Sequence, residues 1–218
     1  MTYDILPFNA CDYRCDKCDK TNDCQVFKME QAQKLRHILC GEDPSDPEVV
    51  IADIIQSIQE AEEVLVREAQ ERGIDPSTLN AELEEHDQKS NEVAKKHPLY
   101  LQAIELVMEA DTFLKKCEKL VVITPEIRPL FDDIKWYVML IPAKTVRALM
   151  GFGDSGYMNE DAKATAGVIQ SCLSKCHTAL TQIAFYRPES TSLSDRLLIL
   201  IDSLKQGWCE NLTEKELE

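Results

Sequence analysis

From Gln25 onward, apolar residues recur at three- and four-residue steps, the period of a helix with one side turned inward. The first such stretch runs from about Gln25 to Cys40 and is stopped by Gly41. Asp43, Pro44, Ser45 and Asp46 form a linker and cap for a second helix, about Pro47 to Arg72, with Ile51, Ile54, Ile58, Ala61, Leu65 and Ala69 inward and Gly73 as its stop. Asp75-Pro76-Ser77 starts a polar helix reaching about Lys96, with Leu79, Leu83, His86 and Val93 on a thin apolar stripe. After His97-Pro98, a fourth helix sets Tyr100, Ala103, Val107, Ala110, Leu114, Cys117 and Val121 in heptad register.

Thr124-Pro125 reads as an N-cap followed by proline at the first helical position, opening a helix that carries Ile127, Leu130, Ile134, Tyr137 and Ile141. Pro142 removes one hydrogen bond from that helix and should kink it. The next helix runs from about Glu160 to Tyr186, with Ala166, Ile169, Leu173, Cys176, Leu180 and Ile183 inward. The last, about Ser192 to Cys209, turns Leu193, Leu197, Leu200, Leu204 and Trp208 inward. No stretch alternates at strand period. Long helices with short connections predict an all-α fold, an antiparallel bundle of about six to seven helices.

The helical period is missing from the first 24 residues, so the chain reads as a cysteine-rich segment, 1–24, followed by a helical domain, 25–218. Segment 75–97 could be an excursion from that domain. With 218 residues, 44% of them hydrophobic, the chain should bury roughly 70% of its unfolded surface, so it needs no cross-link to form a core.

Charge narrows the partners. The net charge is −15, and residues 42–97 hold 16 acidic against 5 basic side chains. That surface repels phosphate backbones, which argues against nucleic acid and leaves a basic protein docking on 42–97 as a possible partner. The first six residues show neither a basic nor an apolar leader region, and no apolar run nears the ~18 residues of a membrane span. The expected location is the cytoplasm, where nine cysteines point to metal or redox work rather than a disulfide frame.

Four of those cysteines lie within 14 residues: Cys11, Cys15, Cys18 and Cys24, spaced C-x3-C-x2-C-x5-C. Thiols this close can converge on one ion or cluster without long-range folding, and a bound metal supplies the charge that deprotonates them. Zinc usually takes two separated cysteine pairs, whereas this chain has one C-x2-C pair in a dense run. Dense single-loop cysteines favour an iron–sulfur cluster of the 4Fe–4S type, with zinc as the alternative. Asp12, Asp16 and Asp19 then read as solvated spacers.

The segment Cys11-Asp-Tyr-Arg-Cys15-Asp-Lys-Cys18 resembles the C-x3-C-x2-C loop of radical S-adenosylmethionine enzymes. The resemblance covers eight residues. It implies a cluster with one iron open to the cofactor, carried on a β/α barrel. Cys24 supplies a fourth thiolate and the remainder reads as helices, so a closed four-ligand site is the preferred reading.

Other motifs carry less. Gly151-Phe-Gly153-Asp-Ser-Gly156 matches G-x-G-x-x-G, but a helix precedes it where dinucleotide binding needs a strand. Cys172 and Cys176 lie one turn apart beside His177 and, with Cys117, read as small apolar core residues. Glu105 with Glu109, and Glu82 with His86, fit solvated helix faces. No histidine follows a glutamate at the three-residue spacing of di-iron bundles. No catalytic set can be named, so the chain reads as a metal-binding protein for electron transfer or redox sensing. The alternative is a zinc-clipped helical interaction module.

Overall fold

The computed structural model describes residues 11–75, 88–120, 123–152 and 157–216. Among them every regular element is helical, so the fold is all-α. The β/α barrel implied by the cysteine-loop resemblance is absent from the described residues. None of the described helices is long and apolar enough to cross a membrane.

The chain divides into two compact units: Arg14–Lys89, and Met1–Tyr13 together with Ser90–Glu218. The first holds a 3-10 turn at Cys15–Lys17, α1 (Gln25–Cys40) and α2 (Pro47–Glu71). Cys24 caps α1, its sulfur accepting from Phe27 N at 3.5 Å. Gly41, at φ +78°, ends α1 in a left-handed turn where Glu42 N returns to His37 O at 2.9 Å; a side chain there would strain the backbone. Asp46 caps α2 by accepting from Glu48 N at 2.8 Å, and Pro47 occupies the first turn.

The α2 stripe expected to face inward is not buried. Ile51, Ile54, Ile58 and Leu65 are 54–68% exposed, and neither α1 nor α2 buries any residue. The helical period is right, but nothing among the described residues covers the face. On the polar stripe expected at 75–97, Leu79, Leu83 and His86 lie outside the described residues, and Val93 is exposed.

One imidazole ties α1 to α2. His37 Nδ1 meets Glu42 at 2.6 Å and Nε2 meets Asp53 at 2.9 Å, with Arg36 3.8 Å from Asp53. The Glu42 bond, and then Asp53, hold the imidazolium above its ordinary value against the opposing effect of desolvation. A raised folded-state value means that protonation stabilises this junction. The contribution is therefore full below about pH 6.5 and is lost as pH rises through the elevated value. An NMR titration should show His37 above 6.5 and Asp53→Asn should move it back; titration of His37 at or below 6.5 in the wild type would contradict the assignment.

The second unit contains the helical residues 90–96, then α3 (Pro98–Leu120), α4 (Arg128–Gly151), α5 (Tyr157–Tyr186) and α6 (Thr191–Glu216), with a 3-10 turn at Pro188–Ser190. α4 packs on α3 and α5, and α6 packs on α5 and α3, closing a ring around one core. All six expected α5 residues are buried at 0–1% exposure. On α3 the buried residues are Leu99, Ala103, Leu106, Ala110, Phe113, Leu114 and Cys117, so the expected Ala103, Ala110, Leu114 and Cys117 are in the core. Tyr100 and Val107, expected inward, are only half-buried. Phe113 stacks on Phe131 of α4, with ring centroids 6.2 Å apart.

Two boundaries differ from expectation. Thr124 and Pro125 form a turn, with Arg128 N bonded to Thr124 O at 3.0 Å, and α4 starts at Arg128 with Pro129 in its first turn. α6 runs on to Glu216, seven residues past the expected end. Helix α4 continues through Pro142. Gly151, its last residue, comes so close to α5 that a Cβ would lie 2.8 Å from Met158 O. Positions 153–156 of the glycine-rich motif lie outside the described residues.

Near that crossing, Arg147 of α4 donates from Nε and Nη2 to the Asp161 carboxylate of α5 at 2.9 and 3.1 Å. Asp161 has a side chain only 6% exposed. Arg147→Ala leaves that carboxylate without its main partner and should cost about 2 kcal/mol. The figure lies below that for a fully buried pair because Arg147 is 42% exposed. A urea melt reads it; an unshifted midpoint would contradict the role of the pair.

Candidate metal centre

The four candidate ligands occupy a short run of turns. Cys11 opens a turn in which Tyr13 N donates to Cys11 Sγ at 3.2 Å. Tyr13 itself lies in the left-handed region, at φ +57°, where a bulky residue is strained. Cys15 starts the 3-10 turn and Cys18 ends it. Cys18 Sγ accepts from Lys20 N at 3.4 Å. Cys24 is the α1 N-cap, where the helix end favours negative charge. Three of the four sulfurs thus accept a backbone N–H. All four are half-buried.

The structure does not gather the four sulfurs. No group of three or more His, Cys, Asp or Glu side chains among the described residues is placed to hold a metal ion. Cys11 belongs to the unit of Met1–Tyr13 and Ser90–Glu218, and Cys15, Cys18 and Cys24 to that of Arg14–Lys89. None of the nine cysteines, all at described positions, is in a disulfide.

The residues around Cys11 are docked rather than loose. Trp136 Nε1 of α4 donates to Asp12 O at 2.8 Å, and Lys175 of α5 pairs with the Asp12 carboxylate. Lys144 of α4 lies over the Tyr13 ring, 4.9 Å from its centroid. Asp12, expected to be a solvated spacer, is instead a half-buried anchor with a side chain 18% exposed. Asp16, also expected to be a solvated spacer, remains largely exposed but accepts both Arg14 Nε and Nη2 at 2.8 Å. These bonds hold its carboxyl below the usual range.

Lys144, only 4% exposed, is the least expected member of this neighbourhood. Burial, then the Arg147 cation, pull its ammonium below the usual value, while Cys11, Cys172 and Asp161 oppose the shift. Burial likewise tends to lower Lys175, but its bond to Asp12 and its proximity to Tyr137 leave it raised. Two cations therefore flank the Cys11 turn and would offset the negative charge that thiolates bring. The cysteine spacing carried no sign of them, because Lys175 lies 163 residues from Asp12.

The other sequence candidates resolve as core or surface. Cys117, Cys172 and Cys176 are buried at 0–1% exposure. Burial pushes Cys117 up to about 11 and Cys172 up to about 12, and raises Cys176 as well, which keeps these thiols protonated and inert. His177 is half-buried beside them. Glu105 and Glu109 both pair with Arg196, at 3.2 and 3.1 Å. Glu82 and His86 lie outside the described residues.

Compared with protein-family models, with curated proteins and with solved structures, the chain matches none.

Proposed function

We propose that the chain is a metal-binding protein in which Cys11, Cys15, Cys18 and Cys24 ligate a 4Fe–4S cluster, serving electron transfer or redox sensing. The observation that carries this reading is the set of N–H···S bonds at 3.2–3.5 Å to Cys11, Cys18 and Cys24. Backbone N–H groups already face three of the four sulfurs, and hydrogen bonds to sulfur are a lever on cluster potential. Such a cluster exchanges one electron, which is the chemistry it would supply here. The protein's part is to hold charge and exclude water. Lys144 and Lys175 offset thiolate charge beside Cys11, Trp136 fixes the Asp12 backbone, and the N-terminus of α1 faces Cys24.

On this reading the helices form an antiparallel bundle that carries the cysteine-rich segment, in the cytoplasm. Opposed α4 and α5 support that arrangement: Arg147 meets Asp161 near one end, and Lys175 lies over Tyr137 further along. The exposed stripe on α2 supports a protein partner for the 42–97 region.

Purification without oxygen, followed by a visible spectrum with iron, zinc and acid-labile sulfide analysis, tests the assignment. A brown protein with iron and sulfide in equal amounts is expected. A colourless protein with one zinc per chain makes the site a structural clip and overturns the redox reading. A protein with neither metal overturns the site.

A further inference from the structure

The α1–α2 hairpin has no interior of its own. Helices of 16 and 25 residues that bury no side chain are marginal in water, because helices in proteins are held chiefly by packing. Yet α2 presents Ile51, Ile54, Ile55, Ile58 and Leu65, each more than half exposed. A contiguous apolar strip of this kind marks an interface.

We infer that a second copy of this chain covers the strip, so that two α1–α2 hairpins close into an intermolecular four-helix bundle. The first support is self-complementarity. Val50, Ile54, Ile58 and Ala61 of α2 floor a groove of about 450 Å³ rimmed by Glu30 and Lys34 of α1. At 100° per residue, Ile51 and Ile55 stand along the adjoining edge of α2 as a ridge, while Leu65 falls in line with Ile54 and Ile58. One helix thus offers both the ridge and the groove. A twofold interface requires that, because each copy must present the same patch to the other.

The second support is charge. On α1, Lys28, Lys34 and Arg36 outnumber Glu30, whereas α2 carries seven carboxylates against Arg67. In a bundle of two hairpins each α1 lies beside its own α2 and the partner's α2, so opposite signs alternate around the assembly. A basic foreign partner would meet the α1 cations at the groove rim. This inference does not depend on the metal reading, and it names the occupant of the acidic region.

Sedimentation equilibrium and light scattering on the full chain test it. The expected particle has twice the 24.8 kDa chain mass and dissociates on dilution. Ile58→Lys should be monomeric, with the melting of the α3–α6 unit unchanged. Ile58→Ala, which keeps a good helix former, should weaken the dimer at least about tenfold, the effect of losing a buried aliphatic side chain. A wild-type monomer at tens of micromolar overturns the inference, its apolar strip then being covered within the chain. A dimer that both variants leave intact also overturns it, since the contact then lies elsewhere.

Discussion

Cys18→Ser should strip the protein of most of its metal, whereas Cys40→Ser and Cys209→Ser should leave the content unchanged. Serine is isosteric with cysteine but a poor ligand for soft metals, so one replacement removes a quarter of the coordination. Cys40 and Cys209 are exposed thiols outside the N-terminal run, and they control for casual metal binding. Metal analysis of the four proteins, purified side by side without oxygen, gives the comparison. Equal metal in Cys18→Ser and wild type would remove Cys18 from the ligand set. Equal loss in all three variants would point to adventitious binding at surface thiols. Because the α3–α6 core is packed independently of these cysteines, the Cys18 variant should keep its far-ultraviolet circular dichroism.

The largest stability effect is expected at the end of the core. Trp208 of α6 is fully buried, tilted against Phe152 with ring centroids 6.4 Å apart. Trp208→Ala opens a cavity the size of an indole and should cost about 3–5 kcal/mol. For a unit of this size that lowers the thermal midpoint by roughly 10–15 °C. The indole Nε1 has no hydrogen-bond partner among the described residues, and a buried donor left unsatisfied is costly. Trp208→Phe removes that donor along with part of the volume, so its loss should be well under half that of the alanine variant. Calorimetry of the two variants gives the contrast. Both remove the orphan donor and only the alanine removes the ring, so equal losses would contradict the packing role of the ring at this position.

The fold was legible where one signal stood alone. On α5 every residue expected inward is buried, with Ala162, Val168, Cys172 and Ala179 buried beside them. On α3 two adjacent lines, one through Tyr100, Val107 and Leu114 and one through Leu99, Leu106 and Phe113, share Ala103, Ala110 and Cys117; the core takes the shared residues, the second line and Leu114, and leaves Tyr100 and Val107 half-buried. Thr124 and Pro125 have the chemistry of a helix start, yet Pro129 lies four residues on and takes that role. On α2 the period was readable but the burial was not, because periodicity reports an apolar face without saying what covers it. The cysteine spacing was likewise readable. The anchoring of Asp12 and Tyr13 by Trp136, Lys144 and Lys175 was not, since it joins residues more than a hundred positions apart.

That anchoring bears on how the site would work. Asp12 and Tyr13 are pinned to α4 and α5 on the C-terminal side of Cys11, and Tyr13, in a strained conformation, has the Lys144 cation above its ring. On the proposed reading, a ligand fixed in this way would report its state to the helical unit directly. A change in charge at the sulfur would be felt first by Lys144, a nearly buried ammonium whose ordinary value burial has already lowered.

Native mass spectrometry of the anaerobically purified chain tests the central claim most directly. The account predicts a species heavier than the 24.8 kDa chain by one cluster of iron and sulfide, lost when Cys11, Cys15, Cys18 or Cys24 is replaced by serine. A spectrum showing only the bare chain, from cells supplied with iron and never exposed to air, would contradict it.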